Sequence, residues 1–163
     1  MYFSVNKTIR IFTLIGELMV FQPDEKKITW KLHFRSPPEK VFQFLSTDEG
    51  RNKYWAQTTE DQEKIIFVFP NGFTWGKILK HEPPHIFSVV YIDNSKTTFE
   101  LKSDGKGGTD IELRDAGVQP EYRTEVIAGW GSVLMALKGA VDFGIDLRNH
   151  DPQRTWDQGY FEN

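Results

Sequence analysis

A chain of 163 residues suits one domain with one core, long enough to bury about two-thirds of the surface its unfolded form exposes. Its 20 basic and 23 acidic residues are interspersed, leaving a net charge of -3 and no basic stripe or polybasic cluster, which argues against nucleic acid and anionic lipid as partners. The lack of cysteine excludes a disulfide, a thiolate metal site and a cysteine nucleophile, and fits a reducing, cytoplasmic setting.

Residues 1–18 read as an N-terminal arm or extra strand. Ile11, Phe12, Leu14 and Ile15 after Lys7 and Arg10 have a superficial likeness to a signal peptide. Glu17 interrupts the run, no small-residue cleavage site follows, and it is too short to span a membrane. Met19 is an alternative start, so that residues 19–147 make the domain and 148–163 a polar tail.

Ile28, Trp30, Leu32 and Phe34 alternate with Thr29, Lys31, His33 and Arg35, the period of a half-buried strand. Ser36-Pro37-Pro38-Glu39 has the spacing of a capping box for a short helix carrying Val41, Phe42 and Leu45, and Thr47 is placed to cap a second over Asp48–Tyr54. Short strands then follow over Trp55–Glu60, Ile65–Phe69, Phe73–Lys80, Ile86–Ile92, Lys96–Lys102 and around Ile111–Leu113, separated by turn signals at Pro70-Asn71-Gly72, Pro83-Pro84, Asp93-Asn94-Ser95 and Asp104–Gly108. The parity of Phe73–Lys80 is ambiguous, since Trp75 and Leu79 share one face while Ile78 has the other.

From Pro120 to about Leu147, Val126, Ile127, Trp130, Val133, Leu134, Leu137, Val141 and Ile145 recur at helical spacing. Gly129, Gly131 and Gly139 each cost a helix about 1 kcal/mol against alanine, so another layer or a ligand is expected to approach closely there. Strands grouped together, with one helix long enough to cover their dry face, make an α+β helix-grip fold: a curved antiparallel sheet of six to seven strands around the C-terminal helix, with two short helices after the first strand.

His81-Glu82-Pro83-Pro84-His85 matches the letters of a zinc-protease motif, but two prolines forbid the helical turn that would bring both imidazoles together, so no metal or cofactor is assigned. No nucleophile elbow or phosphate loop is present, and Glu100, Glu112, Asp115, Arg51 and Arg123 read as solvated charges; no residue is assigned to catalysis. Trp55, Phe67, Trp75, Tyr91, Phe99, Trp130 and Leu134 fall on several strands and the helix and are the candidates to line an apolar ligand cavity, with packing of the core as their competing role.

Ser36-Pro37-Pro38-Glu39-Lys40-Val41-Phe42, Lys53-Tyr54-Trp55, Gly76-Lys77-Ile78 before Pro83-Pro84, Thr98-Phe99-Glu100-Leu101 before Gly108-Thr109, and Gly129-Trp130 with Leu134 and Leu137 occur in an order that resembles the START-like (SRPBCC) superfamily, specifically its activator-of-heat-shock-protein-ATPase homologues. The resemblance covers about Ile28–Ile145 and implies a cavity between helix and sheet that binds hydrophobic or amphipathic molecules, with Gly129-Trp130-Gly131 where the helix meets the contents. It implies no fixed catalytic set. Eukaryotic activators of the chaperone carry a further domain for which this chain has no room, so a chaperone is not the expected partner. An interaction module that uses the outer sheet face or tail to modulate a chaperone ATPase or another partner is the alternative, and a cyclase- or hydrolase-type enzyme the third; a homodimer is compatible with each. Trp156, Tyr160 and Phe161 in the tail favour its docking on a surface.

Overall fold

The computed structural model describes residues 22, 24–61, 63–69 and 72–161; the N-terminal arm and the Pro70-Asn71 half of one turn lie outside them. Seven strands, β1 (Lys27–Phe34), β2 (Gln57–Asp61), β3 (Lys64–Phe69), β4 (Gly72–Glu82), β5 (Ile86–Val90), β6 (Lys96–Ser103) and β7 (Thr109–Ala116), form one antiparallel sheet in the order β1-β7-β6-β5-β4-β3-β2. Helices α1 (Pro38–Ser46) and α2 (Asp48–Arg51) follow β1, and α3 (Arg123–Lys138) follows β7. The α+β helix-grip architecture expected from the alternation of strands and the one long apolar helix is the observed one.

Register follows the side-chain period. Across β6 and β7, Phe99 lies opposite Leu113 and Leu101 opposite Ile111, and all four are buried. Their neighbours Glu100, Glu112 and Arg114 form an ion-pair ladder on the outer face, with Arg114 2.6 Å from Glu100 and 2.7 Å from Glu112. Ile28, Phe34, Val41, Phe42, Leu45, Ile65, Phe67, Phe87, Val89, Trp130, Leu134, Leu137 and Val141 complete one core between sheet and helices. A register shift in β4 between Ile78 and Lys80 reverses its parity, so the His81 ring packs edge-on against Phe42 at 5.2 Å.

Two helix ends differ from expectation. Ser36 does not close a capping box: its amide donates to Asp142, 3.2 Å away, and the N-cap of α1 is Pro37, whose carbonyl accepts from Lys40 and Val41. α3 is entered through a 3-10 turn at Pro120–Tyr122 and leaves through a π turn at Gly139–Phe143, ending at Gly144 with φ 67, so Ile145 and Leu147 lie beyond the helix and are exposed. The run Pro120–Phe143 is the one helix among the described residues long and apolar enough to cross a membrane, and it is spent here on the core through Trp130, Leu134, Leu137 and Val141.

Buried charge fixes the short helices. Arg51 is completely inaccessible; its guanidinium donates to Asp48 at 2.8 Å, to Glu60, to Thr58 at 3.1 Å and to the Leu45 carbonyl at 3.0 Å. It is therefore an internal strut between α1, α2 and β2 rather than a solvated charge. Burial pushes the Asp48 carboxyl up, but hydrogen bonds from Thr58, the Glu60 amide and Arg51 outweigh it and hold the group below its usual range. Arg123, also read as solvated, donates to the carbonyls of Asp24, Gln22 and Lys27.

Both outer strands have their free sides occupied by side chains. On β1, Gln22 exchanges two hydrogen bonds with the Thr29 backbone and Lys138 donates to the His33 carbonyl. On β2, Asn52 accepts from the Thr58 amide at 2.6 Å and Asp48 from the Glu60 amide at 2.8 Å.

The tail from 148 onward lies across α3 and α2. Arg148 donates to the Asn52 carbonyl, Trp156 to Glu125 at 2.9 Å, and Ser132 to the Phe161 carbonyl at 2.6 Å. The three helix glycines thereby separate. A Cβ at Gly139 would come within 2.8 Å of Leu147 and 3.3 Å of the Ile145 carbonyl; at Gly131 it would touch Trp30 and Phe161 at 3.7 to 3.9 Å; at Gly129 it would meet nothing within 4 Å. Gly129→Ala is accordingly expected to stabilise the protein by about 1 kcal/mol through helix propensity alone. Gly139→Ala carries the same propensity gain but must push Leu147 and the Ile145 carbonyl aside, so it is expected to be less stable than Gly129→Ala. Urea midpoints of the two variants test this, and a destabilised Gly129→Ala would contradict the open space assigned beside that residue.

Candidate functional site

The candidate site is the interior beneath α3, where chain reversal gathers aromatic residues from distant elements. The Arg51 carbonyl accepts from the amides of Tyr54 and Trp55, forming the turn that turns both side chains inward. Tyr91 ends β5 and its amide donates to the Ser95 carbonyl, across a turn in which Asp93 and Asn94 adopt the left-handed conformation those two residue types tolerate. Trp130 enters from α3, Phe67 from β3 and Phe99 from β6.

Five of the residues singled out in the sequence therefore meet. Trp55 stands at the centre, with ring centroids 5.0 Å from Phe67, 5.1 Å from Tyr91, 5.3 Å from Trp130 and 6.2 Å from Phe99. Tyr91 and Trp130 close a triangle with it at 5.4 Å. Most of these pairs are edge-to-face or tilted, the orientations that ring quadrupoles favour. The rings touch one another and occupy the space between helix and sheet. Leu134 is buried one turn along the helix.

Trp75 is not part of this group. It lies on the outer face of β4, 57% exposed, with the Lys64 ammonium 5.3 Å above its ring. The inward residues of β4 at this level are Gly76 and Ile78, because Gly76 alone fits beneath the Val90 carbonyl: a Cβ there would lie 1.9 Å from that oxygen.

Asp115 is the polar residue that the reading of the sequence misplaced. It continues the inward parity of Ile111 and Leu113, lies opposite Thr97 on β6 and Ile28 on β1, and is completely buried. The Trp130 indole donates to one carboxylate oxygen at 2.7 Å, Thr97 to the other at 3.2 Å, and Ser95 also donates to it. None of these partners is a cation. Burial pushes the carboxyl above its ordinary value against the pull of the three hydrogen bonds.

Two phenols complete the polar inventory. Tyr91 accepts from the Trp55 indole at 3.0 Å, and burial together with the nearby Asp115 charge pushes its own ionisation up. The Tyr54 hydroxyl is buried with no hydrogen-bond partner among the described residues, and burial raises it likewise. Tyr91 is the most exposed of the five clustered residues, while its hydroxyl is buried against the Trp55 indole. Two open surface hollows, one along Glu60, Glu63 and β4 and one beside Asn52, Gln57, Arg148 and His150, do not involve these rings.

A carboxyl that holds its proton more tightly when folded weakens the fold as pH rises from about 4 through the folded value. Asp115→Asn removes that dependence. The variant should therefore gain stability on the wild type as pH increases across this window, with the gap levelling above it, as read by thermal melts over a pH series. A gap independent of pH would show that Asp115 binds its proton equally well in the unfolded chain.

The model of the family described as Activator of Hsp90 ATPase homolog 1-like protein matches residues 35–142. No curated protein matches the chain. Among solved structures, the Aha1 dimer from Colwellia psychrerythraea is similar at TM-score 0.65 and 21% identity, covering 72% of this chain and 97% of that one. A conserved protein of unknown function from Enterococcus faecalis is similar at TM-score 0.66 and 16% identity over 94% and 92% of the two chains. CalU16 from Micromonospora echinospora follows at TM-score 0.60 and 24% identity over 69% and 72%. A match across most of the domain, on a START-like sheet gripping one long helix, places this chain in the Activator of Hsp90 ATPase homolog 1-like protein family.

Proposed function

We propose that the protein is a binding module for a small hydrophobic or amphipathic molecule, held between sheet and α3 by Trp55, Phe67, Tyr91, Phe99, Trp130 and Leu134. The observation that carries this reading is Asp115: a fully buried carboxylate bonded to Trp130, one ring of the aromatic cluster, and otherwise only to neutral donors. Besides accepting from the Trp130 indole, it is a polar group among aromatic walls, the usual make-up of a ligand site. The same carboxylate keeps a catalytic use of the fold in view, but no nucleophile or second acid is assigned beside it. Native mass spectrometry after incubation with a lipid and metabolite extract should reveal a bound species that Trp130→Ala weakens in a folded variant. Repeated absence of any adduct would remove this reading.

A second reading is favoured by the outer face of β3 and β4. Phe73 is 75% exposed, Val68 opposite it 42%, and Trp75 57%, a contiguous apolar surface of the kind that marks contacts between proteins. The similar Colwellia protein is described as a dimer. On this reading a second copy covers the hairpin, and light scattering at increasing concentration should show a dimer that Phe73→Glu with Trp75→Glu converts to monomer. A wild type monomeric throughout would exclude it.

A further inference from the structure

Asp115 presents an unbalanced charge in an interior built largely of rings. Its three partners, the Trp130 indole, Thr97 and Ser95, are neutral donors, which stabilise an anion without cancelling it. Arg51, the fully buried cation of the core, is committed to Asp48, Glu60, Thr58 and the Leu45 carbonyl. A buried carboxylate in this position has two ways to become neutral: it takes up a proton, or a cation comes to it.

The surroundings suit the second. Trp55, Tyr91 and Trp130 form a triangle of ring centroids 5.1 to 5.4 Å apart, and Asp115 is bonded to one of its corners. The three rings now pack edge into face or tilted, and Trp130 meets Asp115 through the N–H edge of its indole, so a ring face becomes available to an ammonium only when one ring moves aside; such a contact is strongest for tryptophan and rises when the site is desolvated. Tyr91 is half-buried as a residue, and its buried hydroxyl accepts a hydrogen bond from the Trp55 indole. Tyr91 adjoins a turn with two left-handed residues, Asp93 and Asn94. Outward rotation of this ring frees its own volume next to Trp55, Trp130 and Phe67, whose centroid lies 5.0 Å from it.

We infer that the ligand class of this site is a cationic amphiphile: a protonated amine pairs with Asp115, while its apolar body takes the space beside Trp55, Trp130 and Phe67 that Tyr91 vacates. The inference rests on the binding-module reading and adds the sign of the ligand's charge. An anionic amphiphile would bring like charge to Asp115, and a neutral one would leave that charge uncompensated.

Octylamine, octanol and octanoate share a chain and differ in head group. Titrated into the full chain at neutral pH and followed by tryptophan fluorescence and calorimetry, octylamine should bind at least about tenfold more tightly than either other probe, the size of effect expected of a desolvated ion pair with ring contacts. Asp115→Asn, shown to be folded by its melting curve, should bring octylamine and octanol within about threefold of each other. Tyr91→Ala should strengthen octylamine binding. Equal binding of octylamine and octanol by the wild type, or tighter binding of octanoate, overturns the inference while leaving the binding module standing. Failure of all three probes to bind wild type and Tyr91→Ala overturns both. Should Asp115→Asn not fold, the ranking of the three probes on the wild type decides.

Discussion

The 2.7 Å bond from the Trp130 indole to Asp115 sets both where α3 lies over the sheet and what the interior contains. An indole N–H driven into a core must find an acceptor, and a carboxylate in a core must find donors. Each meets the other's need where Trp130 of α3 reaches Asp115 at the end of β7. The helix cannot turn about its axis or slide by a residue without leaving the indole N–H unpaired and Asp115 one donor short, a loss of about 1.5–3 kcal/mol for a bond to a charged partner. The rings of Trp55, Tyr91 and Phe99 pack around the seat so defined.

The same logic recurs at the ends of the helix layer. Asp142, inaccessible at the close of the π turn, accepts from the amides of Arg35 and Ser36 and from Lys138, tying the end of α3 to the start of α1. Arg51 performs the equivalent task between α2 and β2. Three buried ionic groups at three corners make the angle between sheet and helices a matter of directional bonds, while apolar burial supplies the cohesion. Removing one partner of such a group is far more damaging than its net contribution suggests, because the other is left charged and dry.

Much of this was legible in the residues. Alternation in β1, β6 and β7 gave parity and therefore the core face, and the helical period of Val126 to Val141 identified the element that covers it. Asp115 was legible in principle: its position two beyond Leu113 continues the inward series, but an aspartate at a strand end reads as solvated until its partners on β6 and α3 are known. Arg51 was not legible, since an arginine three residues after an aspartate is an ordinary surface pair, and only the return of Glu60 and Thr58 encloses it. Trp75 was hidden by a strand apolar on both faces; the deciding residue was its neighbour Gly76, which must pass beneath the Val90 carbonyl. The spacing of Ser36 and Glu39 was correct for a capping box, yet an aspartate 106 residues away took the serine amide first.

The side chains that occupy the free sides of β1 and β2 bear on how this molecule can associate. A sheet with open margins recruits further strands from its own copies, and that is the usual route from a native β structure to an aggregate. Here Gln22, Arg123 and Lys138 on one margin and Asn52 and Asp48 on the other already satisfy backbone groups that a visiting strand would require. Growth by strand addition would have to break the Arg51 strut at one end or unseat α3 at the other. Association by strand addition is thereby opposed at both margins, and a contact through the exposed hairpin closes on itself where two copies share the same patch about a two-fold axis.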